Sequence, residues 1–415
     1  MGCASSSHDQ SQEDQQQNKN KSAQETTFTD IKQQSTAASA SSSSSQGDAT
    51  RSSKYTTRGG SSGGNGRAGA SSSSPSNLLE QLHSDIVFSL TPGSAEDVGS
   101  FFSGGEDSVI NQFNIHSRLR HQSKAHQRTV TDLKWHTARR ELFSASRDKT
   151  IKQWKMAPSE GSSLSLLQTF NGHSLPISSI DVVQQSSGDP IALVSGARDY
   201  QLRFWDIERG ECLYWTEVQQ NIITQVKWLQ SEPLVLQASE DLSLRVWDAR
   251  TREAVQTFSD GPYFALHCDV SSDNNYFLTG HNGFEGVGCE LKLFDRRTGK
   301  KVVEVQAGRQ AVTDACFVNG MGGLKALTAS KDATFSLWDL DAVMRSDLAL
   351  ADTLTDTGLL ASHQLDQSES VQSLATRTDN GRLPVIASGH VNGRVSLWDI
   401  DLESKQFRLQ MIAPG

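Results

Sequence analysis

The residues that could do chemistry recur in one spacing. His126, Ser144 or Ser146, and Asp148 stand close together in sequence, as do His173, Ser195 and Asp199. Ser, His and Asp are the parts of a nucleophilic hydrolase, in which the imidazole takes the hydroxyl proton and the carboxylate orients it. His116, His121 and His126 invite a zinc reading, but their spacing fits loop and repeat positions better. Gly283-Phe284-Glu285-Gly286-Val287-Gly288 has the glycine order of a phosphate-cradling loop, yet no helix follows it. No metal and no cofactor is therefore expected. Met1-Gly2-Cys3-Ala4-Ser5-Ser6 fits the acceptor pattern for myristoylation of Gly2. One such chain holds a membrane only marginally, and palmitate on Cys3 is the available second signal.

The elements that must position these residues are repeats. Ser144 to Trp154, Ser195 to Asp206, Ala238 to Asp248 and Thr328 to Asp339 are clear copies of one unit. Weaker copies run from Ser103 to Asn114, Thr279 to Asp295 and Ser388 to Asp399, making seven. The residue after the Trp or Phe falls at 114, 155, 206, 248, 295, 339 and 399. The shortest intervals, 41 and 42, match a repeat of about 40–45 residues built from four strands. In five units an Asp precedes the aromatic by six residues, and Asn392 holds that place in the last. Gly172-His173 stands where a unit should begin, and His126 and His83 fall in the same frame.

This constellation resembles the WD-repeat family over about four-fifths of the chain. The resemblance implies an all-β, seven-bladed propeller over 79–415. It also implies that the apparent triads are buried structural tetrads rather than catalysts, so no enzyme is expected. His126, Ser146 (or Ser144), Asp148 and Trp154 would form one tetrad, and His173, Ser195, Asp199 and Trp205 another. Gln219 and Gly308 stand in the His place of units four and six, so those blades should rely on packing. Ring closure falls to a last strand over 406–412 or to a strand just before His83.

The turns that carry the Asp residues should share one face with the His loops. Arg147, Lys149, Arg198 and Tyr200, with Lys331 as a far neighbour, make a candidate partner surface there. Five extra residues in the turn of unit five would push Phe284 and Glu285 from the same rim. The string from Asn275 to Asp295 resembles a ciliary branch of the family. That implies an adaptor for small-GTPase regulators and trafficking at a cilium or flagellum. Trp247-Asp248-Ala249-Arg250 matches the ending carried by substrate receptors of cullin-type ubiquitin ligases, the alternative reading. The extra chain near 156–163 and 342–358 should lie on the opposite face, with a short helix possible within 341–360.

Composition agrees with this division. Lys and Arg number 39 against 48 Asp and Glu, a net charge of −9, which argues against a nucleic-acid partner. The polar excess lies in residues 1–78, rich in Ser, Gln and Gly, which cannot bury enough surface to offset chain entropy. That segment reads as a disordered tail, and about 75 such residues span roughly 50 Å. No apolar run is long enough for a spanning helix or a secretory signal, and five scattered cysteines do not suggest a disulfide framework. The expected place is the cytoplasmic side of a membrane, or otherwise the cytosol, with proteins met through the propeller.

Overall fold

The computed structural model describes residues 80–410 apart from 94–99, 115–119, 157–163, 185–190, 219–220, 260, 347–357 and 379–382. The expected tail with Gly2 and Cys3, Gln219 and His116 lie outside these residues.

Each unit becomes a sheet because apolar and polar residues alternate along its strands. In Gln201–Asp206, buried Leu202 and Phe204 alternate with half-buried Gln201 and Arg203. Blade two runs Val130–His136, Glu141–Ser146, Thr150–Met156 and Leu164–Asn171, each strand antiparallel to the next. The seven sheets span 87–124, 130–171, 177–217, 223–259, 265–306, 312–364 and 371–409, and the fold is a seven-bladed β-propeller. A short helix, Leu340–Arg345, follows the third strand of blade six and is capped by Asp339, which accepts from the Ala342 amide.

The turn between second and third strands explains the Asp frame. Its carboxylate accepts the amide two residues on: Val109 at 3.2 Å, Thr150 at 3.1 Å, Gln201 at 3.2 Å, Ser243 at 3.1 Å and Thr334 at 2.9 Å. Asn392 does the same for Arg394 at 3.1 Å. The residue between takes positive φ, from 63° at Ser108 to 83° at Gly393. Short Asp and Asn side chains close this turn where longer ones do not.

The core lies between blades. Phe143 and Phe170 of blade two pack on Ile177, Ile180 and Trp205 of blade three. Each such side chain contributes about 1.5–3 kcal/mol when fully buried. A small residue on each second strand lets the next blade approach. A Cβ on Gly104 would stand 2.6 Å from Val130, and one on Gly196 would strike Ile223. Every innermost strand also carries a β-bulge near its start, such as Val130/Asp132 in blade two. Carboxylates beyond these bulges staple neighbouring blades. Asp132 accepts the Ile180 amide at 3.0 Å, Asp181 that of Trp228 at 2.8 Å, and Asp314 that of Leu374 at 2.7 Å.

Both expected closers contribute to blade seven. Its third strand, Arg394–Asp401, pairs with Glu80–Gln81 through Val395 and Arg394, and with Gln406–Leu409 through 398–401. The outermost position is thus shared by two short strands from opposite ends of the propeller. Val87, Leu90 and Phe101 of blade one pack on Ala375, Ala387 and Leu397 of blade seven and seal the ring.

Candidate interaction face

The Ser–His–Asp sets are built into blades one to three. In blade three, His173 Nδ1 lies 3.0 Å from Asp199 Oδ2 and Nε2 lies 2.7 Å from Ser195 Oγ. Trp205 Nε1 donates to the same hydroxyl at 2.8 Å. A neutral imidazole protonated on Nδ1 satisfies every group. Burial holds the His173 imidazole below its ordinary range despite Asp199. Blade two repeats this with His126, Asp148 and Trp154, and here one expectation is corrected. The hydroxyl between His126 and Trp154 is that of Ser144, at 2.8 and 2.9 Å, not that of Ser146. Ser146 ends its strand and serves the turn, donating to Arg128 O and accepting from the Asp148 amide. In blade one His83 joins Asp107 and Ser103, while Phe113 brings no indole. Burial works to raise the Asp148 carboxyl, but bonds from His126, Thr150 and the Gln127 amide hold it well below the carboxylate range. Ser103, Ser144 and Ser195 are all 0 % exposed, so their hydroxyls are held in the core, away from any surface where a substrate would dock.

The other blades solve the same problem differently. In blade five His281, from the end of the second strand itself, sets Nε2 2.9 Å from Thr279 and Nδ1 2.9 Å from Tyr263 O. Blade seven does likewise with His390, Ser388 and Glu369 O. Sequence reasoning missed both; the signal was a His two residues after the strand-two Thr or Ser, where the turn Asp is absent. Blade four was expected to rely on packing, yet it keeps polar substitutes. Trp247 donates to Gln237 at 3.1 Å, and Arg245 pairs with Asp241 at 2.6 Å. Blade six keeps the Trp338 to Thr328 bond at 3.0 Å with Gly308 in the His place.

These networks fix a ring of seven equivalent positions, one residue before each turn Asp or its substitute: Glu106, Arg147, Arg198, Glu240, Asn282, Lys331 and Val391. Each donates its amide to a carbonyl on the segment entering its blade, at 2.9–3.1 Å. Arg147, Lys149, Arg198 and Lys331 are exposed, and Tyr200 is 38 % exposed. The two arginines meet different neighbours. Arg147 lies over the Phe88 ring at 5.2 Å and 3.9 Å from Glu106 of blade one. Arg198 acts on Glu240 of blade four, whose carboxyl is raised by burial and lowered by that arginine.

The inserted turn of blade five is a small rigid hairpin. Phe284 and Val287 exchange both backbone bonds, at 2.9 and 3.0 Å. Glu285 and Gly286 take φ of 52° and 83°, the two positive values of a tight hairpin turn. Gly286 donates to Arg309 O at 2.8 Å, and a Cβ on Gly288 would strike the Tyr263 ring. The hairpin leaves Phe284 64 % and Val287 59 % exposed, with Glu285 exposed between them.

The innermost strands enclose a polar cavity of about 360 Å³. Of the charges that line it, Lys134, Lys227 and Asp269 sit at one repeated position in blades two, four and five and Asp132 and Asp314 at another in blades two and six; none was singled out from sequence. Burial works to lower the Lys227 ammonium, yet Asp269 at 3.1 Å and Asp181 hold it above the lysine range. Burial works to raise Asp314, while His267 at 3.0 Å holds it down. Among the described residues no group of three or more His, Cys, Asp or Glu is placed to hold a metal ion. His121 lies on the outermost strand of blade one, apart from His126 in its network. No helix among them is long and apolar enough to cross a membrane.

Comparison with known proteins agrees with this architecture. The family described as WD domain, G-beta repeat matches residues 117–155 and 164–206. Eukaryotic translation initiation factor 3 subunit I of Nematostella vectensis is 26 % identical over 231 residues, 52 % of this chain and 65 % of that protein. Nuclear distribution protein nudF of Aspergillus niger is 29 % identical over 53 % of this chain and 52 % of its own length. Striatin-4 of Mus musculus is 27 % identical over 60 % of this chain and 34 % of its own length. The chain thus spans less than two thirds of each of these relatives.

Proposed function

The chain belongs to the WD-repeat family, and from that premise we propose that it is a non-catalytic protein-interaction scaffold tethered to a membrane through acyl chains on Gly2 and Cys3. The observation that carries the scaffold reading is the blade-five hairpin. It holds an aromatic and an aliphatic side chain in water on a hydrogen-bonded, ring-anchored support, so little entropy is lost when a partner covers them. The relatives' names range from translation initiation to nuclear distribution, so likeness to them does not choose the partner. The string from Asn275 to Asp295 resembles the corresponding stretch of WD repeat-containing protein 31. It supports a ciliary or flagellar adaptor for small-GTPase regulators and trafficking. Proximity labelling from the propeller tests the scaffold. The double variant Phe284→Ala, Val287→Ala should lose specific neighbours with an unchanged Tm, and an unaltered neighbour set overturns the hairpin's role. Labelling with a tagged myristate tests the tether. Wild type should take label and fractionate with membranes, Gly2→Ala should do neither, and an unlabelled, soluble wild type removes the tether.

The ubiquitin-ligase alternative gains nothing from the geometry of Arg250. Its guanidinium folds back on Asp248 at 3.1 Å, and Asp295 and Arg297 of blade five repeat that turn at 3.2 Å. A repeated local turn accounts for the residue.

A further inference from the structure

In blades two to five, the third-strand residue two before the aromatic is a long cation: Lys152, Arg203, Arg245 and Lys292. Lys152 donates to Ala125 O at 2.7 Å and lies 5.8 Å from the Trp154 ring. The Arg203 guanidinium stands 6.0 Å over Trp205, and Arg245 pairs with the turn carboxylate of its own blade. Blade six has Ser336 at that place and Gly308 where an imidazole stands in blades one to three. Blade seven also has a serine there, Ser396, but His390 supplies its imidazole. Among the described residues, blade six alone has neither group.

Two missing side chains leave a hollow of about 590 Å³, within the size range of ligand sites. Asp332, Thr334, Ser336, Trp338, Arg309 and Gln367 line it. The Asp332 carboxylate keeps the bonds to the Arg309 and Thr334 amides, at 2.6 and 2.9 Å, that its counterparts make. What it lacks is the imidazole or guanidinium that faces those counterparts in blades one to four. The rim is tied to the hairpin through the Gly286 to Arg309 bond, so hollow and exposed Phe284 belong to one surface.

We propose that this hollow receives an arginine or lysine side chain from a peptide partner lying across blades five and six. The guest cation takes the place that Arg245 takes in blade four, against the turn carboxylate. It also takes the place of Arg203, beside the indole, where attraction to the ring adds to the ion pair. Arg309 lines the same hollow with an exposed side chain, and its like charge opposes the guest cation there. The inference rests on the reading of the propeller as a protein-binding scaffold and names the chemistry of what it binds.

Calorimetric titration of the full chain with the capped peptide Gly-Arg-Gly, and with its citrulline counterpart, tests this. The arginine peptide should bind at least about tenfold more tightly than the neutral isostere. Ser336→Arg should abolish binding by filling the hollow from within, with Tm unchanged or raised. Gln364→Trp, at an exposed position lining the hollow, should block it without touching the core. Arg309→Ala should strengthen binding. Equal affinity for the two peptides, no binding to wild type or Arg309→Ala, or undiminished binding to both blocking variants overturns the proposal. Proximity labelling separates it from the scaffold reading. Neighbours lost with the hairpin double variant but kept by Ser336→Arg and Gln364→Trp overturn the hollow and leave the scaffold. Arginine binding without any specific neighbour supports the hollow and overturns the scaffold.

Discussion

Blades one to three and blades four to seven place the same kinds of groups over the same strands and connect them differently. In the first set a histidine from the incoming segment bridges the turn Asp and a strand-two hydroxyl, tying three stretches of chain together. In the second set that bridge is replaced by an amide and an arginine, by a histidine from the strand itself, or, in blade six, by nothing. What recurs is a polar partner for the buried strand-two side chain of every blade; the residue that provides it can change. Where nothing replaces the bridge, space opens at the surface. Conserving one network gives stability, and relaxing it gives room for a guest.

The largest test of that contrast is His173→Ala, which leaves a buried carboxylate and hydroxyl without their bridge. It should cost about 3 kcal/mol in urea unfolding. Ser144→Ala should cost about 2 kcal/mol, because it removes the group joining His126 to Trp154. Ser146→Ala should cost about half as much, since only turn bonds are lost. Thr328→Val in blade six should cost about 1 kcal/mol, with no imidazole there to orphan. Equal costs for His173→Ala and Thr328→Val would erase the distinction between the two sets.

Acid should weaken the molecule in two stages. Burial holds His173 and His390 below their ordinary value of 6.5. The unfolded chain therefore takes those protons first, and stability, full above that value, declines as pH drops beneath it. Asp107, Asp148 and Asp199 lie below their ordinary value of 3.8. Their contribution is present above that value and is lost on further acidification. Thermal melts across both ranges check this, and His390→Asn should flatten the first stage. The smallest expected effect is at Arg250, whose side chain is 66 % exposed. Arg250→Ala should change stability by less than about 0.5 kcal/mol.

Much of this was legible in the sequence because a turn of this kind needs a particular residue. The Asp six before the aromatic marks the tight turn of five blades and Asn392 that of the last, and this recurrence, with the aromatic of unit five, gives blade number and order. The insertion at 283–288 was legible for the same reason: it breaks a fixed spacing. Ser144 against Ser146 was not, because both stand on the same face of one strand and only the depth of the Trp154 indole decides between them.

By itself, then, the sequence determined seven sheets, their frame, and which face carries the turns. These are local matters, settled by alternation and turn chemistry within about forty residues. Tertiary structure alone decided what depends on groups far apart in the chain. Glu80–Gln81 and Gln406–Leu409 share one partner strand, because a ring leaves a single outer position for two ends. His281 and His390 replace a bridge that comes from elsewhere in their sister blades. The hollow over blade six exists because Gly308, in the segment entering the blade, and Ser336, on its third strand, are unremarkable apart and line one space together.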